Sequence, residues 1–404
     1  MPAVIFYLSL FLLPLVGPLT ISPIVSIRDL WLTKEFAALL SIILIWTFST
    51  HSRRPDRLIQ AGLIFILISN FSTPPIVLQL GASNLSDLWC WKAFFWVLAY
   101  YLLYETLQNI KIDRNLVAKA IAWTAFISAC YALVQSLNID QFQVLRDFRD
   151  IGWKNSNPNM TSMIGSSVYL SVFLGICLPF CIYALRWWQA AVVGLTIVAL
   201  GSDTGTVFGL ATIALYFLMR APLIWTKFSV VILAVAVGLV LGNWQQIRPK
   251  IQDNGRFAIY RETFNDWKSP PISMEIKPEM TDTQKRELTI LNARTQVFTG
   301  RGIGSFEYMF QRKHSGWNAT HNVYLQTLYE LGLGGLLLLF ALIIRTLWGT
   351  FWLAREDDFV NVLFCSFIFI LLAALTTPML LIEPIRYFVV GVFSLLAASI
   401  PAKK

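Results

Sequence analysis

Apolar residues run along this chain in blocks rather than in alternation. Between charged or Pro/Gly-marked breaks, the blocks fall near residues 3–21, 34–50, 58–80, 90–108, 116–137, 160–185, 188–201, 205–219, 227–242, 321–345, 359–378 and 384–400. Most are close to the roughly 20 residues an α-helix needs to cross a hydrocarbon layer about 30 Å thick. A helix also pairs its own backbone groups, which a lipid environment requires. The pattern predicts an all-α integral membrane protein with about twelve transmembrane helices. The first block, MPAVIFYLSLFLLPLVGPLT, lacks both a basic leader and a small-residue cleavage site, and reads as a retained span.

One long stretch interrupts the blocks. Residues 243–320 are polar over 78 positions, which divides the chain into spans one to nine (1–242), a large loop (243–320) and spans ten to twelve (321–404). Long loops of this kind commonly carry function. The loop has helical texture: after Asn254-Gly255, the residues Phe257, Tyr260, Phe264 and Trp267 recur at helical spacing, and Leu288, Leu291 and Phe298 repeat the effect over 282–298. These stripes predict a small helical cap lying against the spans or the membrane interface, its two parts joined by the Pro-rich SPPISMEIKPE.

Composition agrees with a membrane solvent. Of 404 residues, 56% are hydrophobic and only 14% charged, against about a quarter charged in soluble domains. A water-soluble fold and a disordered chain are both excluded. The net charge of +9 does not imply a nucleic-acid partner, because basic residues gather in the cytoplasmic loops of membrane proteins. Arg53, Arg54, Arg57, Lys111, Arg114, Arg186, Arg220, Lys227, Arg345, Arg355, Lys403 and Lys404 crowd one side, whereas Arg28, Lys34, Lys92, Arg146, Arg149, Lys154 and Arg386 are assigned to the other. That bias puts both termini in the cytoplasm and residues 243–320 outside. The five cysteines lie in or beside apolar blocks and behave as small hydrophobes. Cys177 and Cys181, one helical turn apart, have no further ligand nearby, so neither a metal nor another cofactor is expected.

Candidate chemistry concentrates at the end of the large loop. Of three histidines, His51 sits in the basic cluster HSRRPDR, while His314 and His321 close the loop, and His321 opens the run HNVYLQTLYELGLGGLL with Asn322 beside it. A histidine where a loop re-enters the bilayer is either an interfacial cap or a proton acceptor. The glycine-rich stretch TGRGIGSF around Arg301 is either a tight turn or a close approach to a phosphate. It does not fit a P-loop. Arg256 and Arg261 lie on the striped helix of the loop, and guanidinium suits the phosphate of a lipid head group or a lipid-linked diphosphate.

In these segments, GRFAIYRETFNDW, TGRGIGSFEYMF and HNVYLQTLYELGLGGLL, with SNPNMTSMIGSSVYL upstream, the chain resembles the O-antigen ligase family of bacterial envelope enzymes. That family spans lipopolysaccharide O-antigen ligases, O-antigen polymerases and protein O-oligosaccharyltransferases. The resemblance implies a GT-C-like glycosyltransferase of the inner membrane with its active site facing the periplasm. The donor would be an undecaprenyl-diphosphate-linked glycan, the acceptor lipid A-core or another glycan, and no metal or nucleotide would take part. It assigns the catalytic positions to His321 and Arg256, and the substrate-binding residues expected beside them are Arg301, Arg261, Arg149 and Asn322. One departure stands out. Where relatives carry a basic residue between spans seven and eight, this chain reads GSDTGT, with Asp203 in its place, so Arg301 or Arg149 would have to hold the second phosphate. The competing class is a polytopic lipid or glycan transporter. The scarcity of ionisable residues inside the blocks weighs against it: Glu105, Lys119, Glu330 and Glu383 all fall near block ends.

Overall fold

The computed structural model describes residues 1–15, 27–49, 57–72, 84–137, 166–220, 256–268, 297–303, 320–377 and 385–400, with positions 160, 162–164, 282 and 306 between them. Among these the chain is helical, without a strand. In chain order the helices are α1 (Pro2–Leu12), α2 (Ile27–Thr47), α3 (Arg57–Ser72), α4 (Asn84–Leu107), α5 (Arg114–Ser136), α6 (Ser167–Ala184), α7 (Trp187–Ala199), α8 (Asp203–Arg220), α9 (Arg256–Lys268), α10 (Val323–Glu356), α11 (Asp358–Ala373) and α12 (Ile385–Ala398). A helix lies in eleven of the twelve apolar blocks, and the ninth block, 227–242, falls outside the described residues. Among the described residues three helices, α5, α6 and α10, are long and apolar enough to cross a membrane, and six more are apolar but shorter. The chain is therefore read as a helical membrane protein.

The chain forms two compact units: residues 1–53, 99–229 and 346–404 in one, and 54–98 with 230–345 in the other. In the first unit α6 is the central helix. Its sequence SVYLSVFLGICLPFCIYA is apolar around nearly its whole circumference, the pattern of a helix surrounded by others. Gly175 lets the Phe369 ring of α11 approach so closely that a Cβ would lie 2.1 Å from it. Polar side chains then tie helix to helix: Ser366 Oγ donates to the Ile176 carbonyl at 2.8 Å, and Asn361 Nδ2 to the Tyr216 carbonyl at 3.1 Å. Small residues and buried hydrogen bonds take this role where water supplies no hydrophobic drive between helices.

One end of this unit is ionic. Arg114 pairs with Asp357 and Arg220 with Asp358, joining the starts of α5 and α11 to the end of α8. Asp357 also caps α11, accepting from the amides of Phe359 at 2.9 Å and Val360 at 3.1 Å. These are residues that the charge bias assigns to one common side. Trp187, Trp348 and Trp352 are widely exposed on the same unit, as interfacial tryptophans are. Lys34 departs from expectation. It lies within α2, fully buried, with Nζ donating to the Pro14 carbonyl at 3.4 Å, because α2 begins at Ile27, seven residues ahead of the apolar block.

The second unit contains a larger departure. The expected span 321–345 is not one continuous helix. Gly332 takes φ 65° and ψ −168° inside α10, and Tyr324 stacks on Phe340 with ring centroids 5.7 Å apart. Sixteen residues of straight helix would separate those two positions by about 24 Å, so α10 folds back on itself at Gly332. Residues 323–331 form a short arm, and residues 333–356 form the long apolar helix. On that helix, α3 packs its Phe65 against Gly334 and against Phe298, whose ring is 5.9 Å from that of Phe65.

Candidate functional site

The reversal at Gly332 leaves carbonyls at the end of the arm without helical partners. The glycine-rich segment supplies them. Arg301 N–H donates to the Tyr329 carbonyl at 3.1 Å, and Gly302 N–H to the Glu330 carbonyl at 2.7 Å. This contact requires two glycines. Gly300, at φ 74°, and Gly332 abut so tightly that a Cβ on either would lie about 2.4 Å from the facing segment's backbone. The amides that could have met a phosphate are thus engaged by the broken helix, and the segment is a backbone cap on the arm.

Arg301 is turned inward as well. Only 2% exposed, its guanidinium donates to the Asp266 backbone carbonyl and to Tyr329 Oη at 3.5 Å, and lies 3.6 Å from the Asp266 carboxylate. Tyr329 Oη in turn donates to Asp266 Oδ2 at 2.8 Å. Phe306 and Trp267 pack against Tyr329 and close the cluster to water. Asp266, Arg301 and Tyr329 therefore form a buried, mutually satisfied triad joining α9, the glycine segment and the arm.

This triad explains which face of α9 turns in. Of the stripe Phe257, Tyr260, Phe264 and Trp267, Tyr260 and Trp267 are half-buried and Trp267 packs on Tyr329, Phe264 is 38% exposed beneath Lys268 Nζ, and the Phe257 side chain lies outside the described residues, while Ile259, Thr263 and Asp266 are buried. Thr263 meets its own hydrogen-bonding need by donating to the Ile259 carbonyl at 2.7 Å. The most buried line of α9 therefore includes Asp266, which reaches the arginine, with Tyr260 and Trp267 flanking it.

The other end of α9 meets His321. Tyr260 Oη donates to the His321 carbonyl at 3.3 Å. His321 holds φ 54°, the left-handed region that a non-glycine residue occupies at a cost of order 1–2 kcal/mol. Its neighbours fix it there. Thr320 Oγ1 both accepts from the Asn322 amide at 3.1 Å and donates to the Asn322 carbonyl at 2.6 Å, while Asn322 Oδ1 accepts from Leu325 N–H at 2.9 Å and caps the arm. Asn322, expected to face substrate, thus has its side-chain oxygen in the cap.

The two contact points, Tyr260 with His321 and Asp266 with Tyr329, set the arm and α9 side by side in the same chain direction. Six residues separate the contacts on α9, about 9 Å of helix, and eight separate His321 from Tyr329, about 12 Å at the same rise. Arg256, the first residue of α9, lies one helical turn before Tyr260, so the backbones of Arg256 and His321 come to one end of this pair. Arg261 is exposed next to Tyr260. Arg301 is the expected site residue held apart, at the opposite end of the pair. Asp203 begins α8 in the other unit. Arg149 and His314 lie outside the described residues.

Sequence reasoning passed over Tyr260, Asp266, Tyr329 and Gly332. Tyr260 was counted for its ring, although tyrosine on a half-buried stripe generally finds a partner for its hydroxyl. Asp266, an acid on a basic loop helix, was the available signal for the triad. Comparison of the chain with protein-family models and with curated protein sequences finds no match.

Proposed function

We propose that the chain is an inverting glycosyltransferase of a bacterial inner membrane. It moves a glycan from an undecaprenyl-diphosphate carrier to an acceptor hydroxyl on the periplasmic side, with lipid A-core as the acceptor, as in an O-antigen ligase. The hydrogen bond from Tyr260 to the His321 carbonyl carries the reading, since it brings the helix that starts with Arg256 to the histidine. In the step envisaged, the acceptor oxygen attacks the anomeric carbon as His321 takes its proton. The bond from that carbon to the diphosphate oxygen breaks with its electron pair, and the configuration inverts. Imidazole can accept this proton without prior tuning, since its ordinary pKa lies near neutrality. Charge develops on the leaving diphosphate, where a fixed guanidinium stabilises it most. Arg256 has the bidentate geometry for that contact, and the N-terminus of the arm adds a favourable dipole at the same end.

The test is direct. Purified protein in lipid, given an undecaprenyl-diphosphate glycan and lipid A-core, should yield glycosylated acceptor and undecaprenyl diphosphate in equal amounts. Product on another glycan would instead identify a polymerase of the same chemistry. Movement of intact lipid-linked glycan across sealed vesicles, with no product formed, would identify a transporter.

A further inference from the structure

We propose that Asp266, Arg301 and Tyr329 are positioning residues that set the spacing between Arg256 and His321 from the far end of the helix pair, so that Arg301 serves the reaction without touching the donor. The proposal rests on the reading of Arg256 and His321 given above.

A pair of short helices joined at one point can swing about it, whereas two points fix both angle and register. Near His321 the two helices meet through the Tyr260 hydrogen bond, and His321 leads into a nine-residue arm that ends at a glycine break. An isolated helix of that length is marginal. Its geometry must come from tertiary contacts. The second point is the triad, in which every member reaches a different segment: Asp266 belongs to α9, Arg301 to the glycine segment and Tyr329 to the arm. Arg301 also contacts both chain ends of the arrangement through backbone atoms, since its own amide caps the arm while its guanidinium holds the Asp266 carbonyl. With the carboxylate and phenol also satisfied inside the cluster, the triad works as a rigid bolt. A shift of about 1 Å in a reacting pair can cost about 100-fold in rate even when the mutated residue lies far from the chemistry.

The experiment uses the full-length protein in lipid nanodiscs and the variants Tyr329→Phe, Arg301→Lys and Arg301→Ala. Three quantities are measured well below each variant's unfolding temperature: hydrogen exchange of the 256–268 segment, equilibrium binding of the undecaprenyl-diphosphate glycan, and turnover per folded molecule. Positioning predicts faster exchange around residues 256–260 in Tyr329→Phe, two turns from the substitution. It also predicts donor affinity within about threefold of the parent and turnover reduced by about 100-fold, with Arg301→Lys recovering part of the loss that Arg301→Ala suffers. If donor affinity falls tenfold or more in Arg301→Lys while exchange is unchanged, Arg301 touches the diphosphate and the proposal fails. It fails equally if exchange rises while turnover per folded molecule holds, because the triad is then a fold element only. Should the parent protein itself transfer no glycan, the functional reading falls by that result. The mechanical part is then decided by exchange alone, and unchanged exchange at residues 256–260 in Tyr329→Phe overturns it.

Discussion

At a single side chain, exchanging arginine for lysine separates charge from shape. Arg256→Lys keeps a cation at the start of α9 but removes the planar fork that grips two phosphate oxygens at once. Turnover of the lipid-linked glycan should fall severely, and full turnover would exclude bidentate contact. His321→Ala should insert and fold normally while losing about 100-fold to 10,000-fold in transfer rate, the range for loss of a general base. Steady-state assays of the purified variant check this, and near-parental activity would remove His321 from the mechanism. Part of this site was legible in the sequence. His321 announced itself as a rare titratable group at the end of a long loop, and Arg256 as a cation on a striped helix. What could not be read was the internal consumption of Arg301 and Asn322. A sequence shows that a donor or acceptor is present, and only the fold shows whether a neighbour has already used it.

Among the elements, α10 shows where hydropathy misleads. The run LYELGLGGLLLLF stays largely apolar through Gly332, with Glu330 its one charge, so periodicity has no reason to stop there. Glycine in an apolar run signals either close helix packing or a break, and nothing local decides between them. The tertiary partner decides, since the glycine segment 300–302 is there to receive the freed carbonyls. Two glycines should therefore respond oppositely to alanine. Gly332→Ala meets backbone at 2.4 Å with a positive φ, so thermal unfolding of the purified protein should move down by several degrees. Gly62→Ala in α3 has nothing within 4 Å of its Cβ, and should stabilise the helix by up to about 1 kcal/mol. Scanning fluorimetry in detergent distinguishes the two, and a neutral Gly332→Ala would contradict the reversal.

For the whole molecule, sidedness and pH response follow from charge. Reporter fusions at Asp282 and after Lys404 should report periplasm and cytoplasm respectively, and a cytoplasmic signal at Asp282 would remove the proposed reaction from the periplasm. The ionic end of the first unit has its own signature. Burial raises the affinity of Asp357 for a proton, but the amides of Val360 and Phe359 and the Arg114 guanidinium outweigh it and hold the carboxyl below its usual value. A depressed carboxylate contributes stability that is complete above the unfolded value near 3.9 and is lost progressively as pH falls through the lower, folded value. Asn also caps helices well, so Asp357→Asn isolates the charge. The variant should melt slightly below the parent at pH 7, by no more than a surface ion pair supplies, about 1 kcal/mol at most, and the gap should close as acidification protonates the Asp357 carboxylate. The helical class and block positions were legible at this scale because lipid imposes one length and one polarity on every crossing segment. The grouping of residues 54–98 with 230–345 was not, since contacts between distant blocks leave no period in the sequence.

The arm between His321 and Gly332 also behaves as a phase gauge. A helix turns 100° and advances 1.5 Å per residue, so with Tyr329 bolted at one end, adding or deleting one residue between Leu325 and Leu328 swings His321 to a different azimuth. Substitutions there can be absorbed by repacking, but a change of length cannot. A single-residue insertion in the arm should abolish transfer even where the inserted residue is alanine, the strongest helix former. Because a seven-residue insertion restores azimuth to within about 20° while displacing the histidine by about 10 Å, it should fail as well, which makes both the angle and the length of this short helix quantities the chain has to conserve.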